Sequence, residues 1–374
     1  MPWKESSTMS QREEFVQEAL KENANIRALC REYGITPRTG YKWIKRYKEQ
    51  GEIGLYDRDR RPKHSPRRSS PQMEEAVLRV RRTHPAWGGR KIRWKLMQER
   101  IQPIPSASTI TAILHRHDKI SPEEGENHRV FQRFEMEHPN QLWQMDFKGH
   151  FEIADGSLCH PLTVLDDHSR FLVGLKACHS ERSKTVKFRL EGIFEEYGLP
   201  ERMLMDNGSV WQGFHTGLTF WLVRLGIQVV HGRPYHPQTQ GKDERLHRTL
   251  KDELLREQQF FDLKDCQEKF EAWRAMYNYE RPHQALHMQT PATRYQPSLR
   301  LFTGHFPLIE YEPGDILRKT DIYGRIQFHA RRFYVGKAFR MSQVALRPTL
   351  VDGVFHVFFC NQRIAQISLL TDNP

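Results

Sequence analysis

Three strand-like runs in close succession, followed by regular alternation of helix and strand, constrain this chain more than any other feature. From residue 143 the segments WQMDFKGHFEI and HPLTVLDDHSRFLVGLKAC show the two-residue period of strands, and ADGS between them puts Asp155-Gly156 at a hairpin turn. A helical segment over about 183–197 (SKTVKFRLEGIFEEYG) follows, then an apolar strand in ERMLMD, a helix near 215–225, a strand in GIQVVHG and a helix from about 239. The order βββαβαβα predicts an α/β layout with a mixed sheet: the first three strands form a meander, and the later ones are reached through helical crossovers.

The flanks obey other periods. In IRALCREYGITPRTGYKWIKRYKEQG, Leu29, Cys30 and Tyr33 fall at helical spacing and Gly34 breaks the helix. Thr36-Pro37 is then an N-cap followed by proline at the first helical position. This is a helix-turn-helix, whose second helix exposes Arg38, Lys42 and Lys45 and buries Trp43, Ile44 and Tyr47, a face suited to a DNA major groove. LYDRDRRPKHSPRRSSP is too rich in Pro, Ser and Arg to bury a core and reads as a linker. A second helical unit surrounds HPAWGGRKIRWKLMQE, with Ser106 or Ser108 as the cap of its last helix. Residues 262–280 form a further helix ending in YNYERPHQAL, and the tail from about 310, short strands joined by Gly and Asp turns, predicts a small β-barrel. The expected domains are therefore 1–56 (helix-turn-helix), 57–70 (basic linker), 71–125 (second helix-turn-helix-like unit), 138–300 (α/β core with its C-terminal helix) and 308–370 (barrel).

At 374 residues the chain exceeds one ordinary core, in keeping with several domains. Its formal net charge of +12 favours a polyanionic partner. Residues 1–137 hold 28 Lys and Arg against 19 Asp and Glu, so most of the excess lies in the helical N-terminal third. The five cysteines are scattered and form no C-x-x-C pair, which argues against a disulfide framework or a zinc finger and fits a reducing cytosol. Cys159-His160 and Cys178-His179 sit symmetrically about the second hairpin, which would set the two cysteines opposite each other as half-buried thiols. No apolar run approaches a membrane span and the N-terminus lacks a signal-peptide core, so a cytoplasmic, nucleoid-associated protein is expected.

Two aspartates stand in apolar strand settings, Asp146 in WQMDFKG and Asp206 in LMDNGS. A buried aspartate costs several kcal/mol unless paired or metal-bound. A third acid is available where the last helix of the core opens, in GRPYHPQTQGKDERLHRTLKDELL, which offers Asp243, Glu244, Asp252 and Glu253. Glu244 is placed to swing over the strand ends, and three carboxylates converging there would hold two Mg²⁺ ions for phosphoryl transfer. His247, Arg248 and Lys251, at i+3, i+4 and i+7 from Glu244, share a face suited to the DNA strand being cut. Asp166-Asp167 reads as a hairpin-end turn or an Arg170 partner rather than as ligands.

These residues carry a resemblance. Asp146, Asp206 in DNGS, and RPYHPQTQGKDER with Glu244 in it resemble the DDE transposases of bacterial insertion sequences, whose catalytic core is similar to retroviral integrases. The resemblance spans most of the chain, including YNYERPHQAL and TPATRY, and is most specific from Leu204 to Leu250. It implies a ribonuclease H-like core and a triad of Asp146, Asp206 and Glu244 as catalytic and metal-binding residues, with two Mg²⁺ ions and Mn²⁺ as a substitute. Asp243 falls where the family varies, and Asp252 and Glu253, two turns further on, are expected to be solvated. Arg245 joins the expected DNA contacts; Asn207, Gly208, His236 and Gly241 are expected to shape the loops beside the acids. The chain departs from the family by about two extra residues in GSVWQGFHTG, and lacks the His-His-Cys-Cys zinc module of retroviral integrases.

The function so implied is metal-dependent cleavage at the ends of an insertion sequence and strand transfer into target DNA, by a homo-oligomer that pairs two ends on DNA. The competing readings are a non-catalytic DNA-binding regulator derived from a transposase, which a missing acid would favour, and a simple ribonuclease H-type nuclease, which has no need of two N-terminal DNA-binding units.

Overall fold

The computed structural model describes residues 8–58, 68–120, 135–205, 217–231 and 241–370. The chain divides into two compact units, Met1–Arg68 and Ser69–Pro374.

The first unit is a three-helix helix-turn-helix built from α1 (Thr8–Ala19), α2 (Ile26–Glu32) and α3 (Pro37–Gln50). Phe15, Val16, Cys30, Trp43, Ile44 and Leu55 form its core. Thr36 caps α3 by accepting from the Thr39 amide at 3.3 Å, with Pro37 at the first helical position. At Gly40 the helices approach so closely that a Cβ would lie 2.5 Å from Cys30 Sγ, so only glycine fits there.

The second unit opens with α4 (Pro71–Thr83), α5 (Gly89–Gln98) and α6 (Ala107–Arg116), packed around Val77, Trp87, Ile92, Leu96, Ile110 and Ile113. Ser70 and Ser106 cap α4 and α6. This trio is locked to the rest of the unit by Glu253, whose side chain is 6% exposed and takes Lys91 of α5 at 3.2 Å and Arg281 at 3.0 Å. Glu253, expected to be solvated, is therefore a buried ion-pair hub; Asp252 does face outward, paired with Arg256.

The central sheet runs β4 (Leu172–Cys178), β3 (Leu158–Asp166), β1 (Leu142–Phe147), β5 (Arg202–Met205), β6 (Gln228–His231), with β2 (Phe151–Glu152) extending β1 beside the start of β3. The pairings of β3 are antiparallel, whereas β1–β5 and β5–β6 are parallel, the mixed meander-plus-crossover sheet that the element order requires. Helices α7 (Ser183–Tyr197) and α8 (Gly217–Arg224) cover one face; α9 (Gly241–Leu250) and α10 (Leu263–Ala275) cover the other, each running on into a π-helical turn, Lys251–Leu255 and Met276–Glu280. Asn278 fastens α10's end to β4, its Oδ1 accepting from the Leu172 amide and its Nδ2 donating to the Leu172 carbonyl.

The two hairpin cysteines are not opposite one another. Leu165 pairs Leu172, but a bulge next to it shifts the register by one residue, so His160 meets Cys178. A one-residue slip exchanges faces. Cys159 lies in the α9–α10 core and Cys178 in the α7–α8 core.

The C-terminal strands form an open four-stranded sheet, β12 (Gln362–Ser368), β11 (Val354–Phe359), β10 (Gln343–Pro348), β7 (Ile316–Lys319), and a separate hairpin of β8 (Arg325–Phe328) and β9 (Arg331–Tyr334). No pairing among the described residues closes these into the expected barrel. Instead Phe333, Phe339, Val344, Val357 and Phe359 bury against the α7–α8 layer, where Phe220 stacks on Phe359 at 5.1 Å.

Candidate active site

Asp146 lies near the end of β1, on the sheet face covered by α9 and α10. Its Oδ1 accepts from the Phe147 amide at 2.8 Å, and the partner residue across the ladder is Thr163. The Thr163 hydroxyl donates to the Asp146 carbonyl at 3.0 Å and lies 2.9 Å from His247 Nε2. A hydroxyl already donating must accept from His247, so the ring carries its proton on Nε2 and turns a bare Nδ1 toward Asp146 Oδ2, 3.9 Å away. Burial, helped by the charge of Lys148, lowers the His247 pKa to about 4, so the imidazole is neutral at physiological pH. His247, expected at the DNA, is thus turned inward onto Thr163, the residue that pairs with Asp146 across the ladder.

The first turn of α9 sorts its acids. Asp243 faces the sheet and is 2% exposed, and no hydrogen-bond partner for its Oδ1 lies among the described residues. Burial, then the nearby charges of Asp146 and Asp167, push its carboxyl well above the usual range. Glu244 is exposed, as are Arg245, Arg248 and Lys251, which continue along the outer face of the helix. At Gly241, the start of the helix, an added Cβ would meet no atom of the described residues within 4 Å. Asp206, Asn207, Gly208 and His236 lie outside the described residues. Among the described residues no group of three His, Cys, Asp or Glu side chains gathers closely enough to hold a metal.

Asp166 and Asp167 are fully buried, and both serve the hairpin end rather than the solvent. Asp166 accepts from the Ser169 amide and hydroxyl and from the Asn140 amide. Asp167 accepts from the Met136 amide at 2.8 Å, from Gln144 Nε2 at 2.6 Å and from Lys242 Nζ at 2.5 Å. Lys242 was not singled out from the sequence, although a lysine next to a glycine that opens a helix, two residues before an acid, is a visible signal. Glu253 had one too: it stands seven residues after Leu246, on the same helical face.

In the first unit Arg38, Lys42 and Lys45 are exposed on α3, with Tyr41 between them. Lys42 Nζ lies 4.1 Å from the Trp43 ring centre, and Lys45 pairs loosely with Glu49 at 3.8 Å.

The chain matches known families along most of its length: a helix-turn-helix domain over residues 11–63, a homeodomain-like domain over 39–114, integrase core domains over 136–237 and 225–291, and the C-terminal domain of IS481 family transposases over 315–374. It is 27% identical over 154 residues to a 31.7 kDa protein of insertion element IS407 from Burkholderia multivorans, a match covering 41% of this chain and 54% of that protein. It is 28% identical over 155 residues to a 39.2 kDa protein of insertion element IS476 from Xanthomonas euvesicatoria, covering 41% and 44%. The Gag-Pro-Pol polyprotein of Mason-Pfizer monkey virus is 35% identical over 115 residues, which are 30% of this chain and 6% of the polyprotein. The chain spans about half the length of the two insertion-element relatives it matches.

Proposed function

We propose, for a chain built as the bacterial insertion-sequence transposases with an integrase-like core are, that it is a DDE-type polynucleotidyl transferase. It cleaves DNA at the ends of its element and joins the freed 3′-hydroxyls to target DNA. The observation that carries this reading is Asp146 on the central strand, 3.9 Å from His247 of α9, with Glu244 exposed one turn earlier on that helix in the position that the resemblance assigns to the third acid. Asp206 completes the triad.

The residues present suit a divalent cation. The donors are carboxylate oxygens, which hard cations such as Mg²⁺ prefer. His247 is neutral, so it adds no competing charge beside Asp146. The carboxyl of Asp243 is pushed up first by burial and then by the charges of Asp146 and Asp167, and that second contribution is the repulsion expected of acids gathered without a counter-ion. Asp146, Asp206 and Glu244 would hold two Mg²⁺ ions, with Mn²⁺ as a substitute; when bound, these supply charge neutralisation for the attacking and leaving oxygens of an in-line displacement. His247 holds the Asp146 strand end in place through Thr163. Arg245, Arg248 and Lys251 draw the phosphate backbone to the exposed side of α9.

The domains divide the remaining work along the boundaries expected from the sequence. Arg38, Lys42 and Lys45 on α3 enter a major groove of the element's terminal inverted repeats, and the α4–α6 unit adds a second contact. The C-terminal open sheet and its hairpin grip the DNA backbone. Pairing two ends calls for a homo-oligomer on DNA. Among the described residues no helix is long and apolar enough to cross a membrane, in keeping with action at the nucleoid.

The test is strand transfer in vitro with a labelled duplex carrying the element's own ends and Mg²⁺. Joined products from the wild type, absent from Glu244→Gln although that variant still binds the ends, would support the three-carboxylate reading. End binding by the wild type without any cleavage would replace it with a DNA-binding regulator.

A further inference from the structure

The triad leaves one cluster unused. Lys242 stands two residues before Glu244, and its ammonium reaches away from the solvent to Asp167, touching Oδ1 at 2.5 Å and the backbone carbonyl at 2.9 Å. Both side chains are enclosed, at 10% and 0% exposure. Asp167 is itself immobilised: its amide donates to the Leu142 carbonyl, and its carboxylate takes Met136 N and Gln144 Nε2. Gln144 lies two residues before Asp146 on β1, hence on the same face of the strand. A continuous run of short polar contacts therefore joins the strand that carries Asp146 to the helix turn that carries Glu244.

We propose that Lys242 is a positioning residue, which through Asp167 fixes the first turn of α9 so that Glu244 is held in register with Asp146. The proposal rests on the transposase reading given above. The first turn of a helix is its loosest part, because its leading amides have no intrahelical partners. Glu244 lies in that turn with its side chain exposed, so its direction is set by the backbone below it. A buried lysine is a costly way to fasten a helix, because an ammonium 10% exposed gives up most of its water. Replacing the whole pair by apolar side chains of similar volume is often neutral or stabilising, so stability alone does not call for it. What the pair does supply is direction. Lys242 has two acceptors on one residue, and a shift of about 1 Å in a reacting group can slow a reaction about a hundredfold.

The experiment compares the full-length wild type with Lys242→Met, Lys242→Arg and Glu244→Gln, using a duplex with the element's ends and Mg²⁺. It reads hydrogen exchange over residues 241–250, cleavage rate at saturating DNA, end-binding affinity and thermal midpoint. The expected result for Lys242→Met is exchange over 241–246 faster by about tenfold and cleavage slower by about tenfold or more. End binding should stay near that of the wild type, while the thermal midpoint falls because Asp167 is left buried without its cation, and Lys242→Arg should restore most of these losses. Unchanged exchange in Lys242→Met would overturn the proposal, as would a loss of end binding that matches the loss of cleavage, which marks a merely structural pair. Exchange needs no catalysis. If the wild type fails to cleave while Lys242→Met still loosens residues 241–246, the tether stands and the transposase reading falls.

Discussion

Replacing Glu253 with glutamine should destabilise the second unit by about 3 kcal/mol at pH 7, and by less at pH 9. The carboxylate is 6% exposed and satisfies two cations, Lys91 at 3.2 Å and Arg281 at 3.0 Å, which are themselves 24% and 10% exposed. Glutamine keeps the volume and loses the charge. Arg281 then forfeits a charge-assisted bond worth about 1.5–3 kcal/mol. Lys91 has an escape, since burial and the charge of Arg281 already lower it to about 8. Releasing its proton at pH 7 costs only about 1.4 kcal/mol, which caps the repulsion left behind. The two contributions together fall within the range found for breaking buried pairs, about 3–5 kcal/mol. The pH trend follows from the direction of the Lys91 shift. With a folded value below the ordinary lysine one, the unfolded chain holds the extra proton between about pH 8 and 10.4, and stability from this group rises with pH across that window. Without Glu253 the folded value drops further, so the variant begins to recover at a lower pH and the gap to the wild type narrows toward pH 9. Scanning calorimetry of the full chain should show the transition of the second unit lowered by about 4–6 °C at pH 7. A shift under about 2 °C, or a gap that widens with pH, would show that the cluster is solvated and the reasoning wrong.

Asn278→Ala should cost about 2–4 kcal/mol, because it strands both the amide and the carbonyl of buried Leu172; denaturant titration of the full chain measures it, and a loss under about 1 kcal/mol would mean that water replaces the side chain. Arg38→Ala should weaken binding to the element's ends and reduce the slope of log affinity against log salt by about one, if this exposed side chain sits on a phosphate; an unchanged slope with altered sequence preference would assign it to a base instead.

The α/β order and the helix-turn-helix joint were legible because both rest on local signals: Asp155-Gly156 at a turn, the two-residue period of β1 to β4, and a capped, proline-started α3. What escaped depended on distant partners. Glu253 is paired with Lys91, 162 residues away in sequence, and although its spacing from Leu246 marked the face, nothing local marked the partner. The facing of α9 was misjudged for a similar reason. His247 and Glu244 lie three positions apart, close enough to share a face by spacing, yet burial against Thr163 takes the first inward and leaves the second outside. The thiols were misplaced by a single bulge, which turn residues do not announce. In the tail the strands were found but their closure was not, since pairing between short strands is decided by the layer they pack on.

That bulge has a chemical consequence. Val173 and Gly174 occupy neighbouring positions where a regular strand would send one side chain to each face, and a Cβ on Gly174 would come within 2.3 Å of Ile193 on the α7 side. The surplus residue puts Cys159 and Cys178 on opposite sides of the sheet, where no disulfide can span them while the strands remain paired. The two hairpin thiols are thereby kept from joining each other by register alone, while Cys159 has Cys266 of α10 as its neighbour, and removing one residue at this point would bring the hairpin thiols onto a common side.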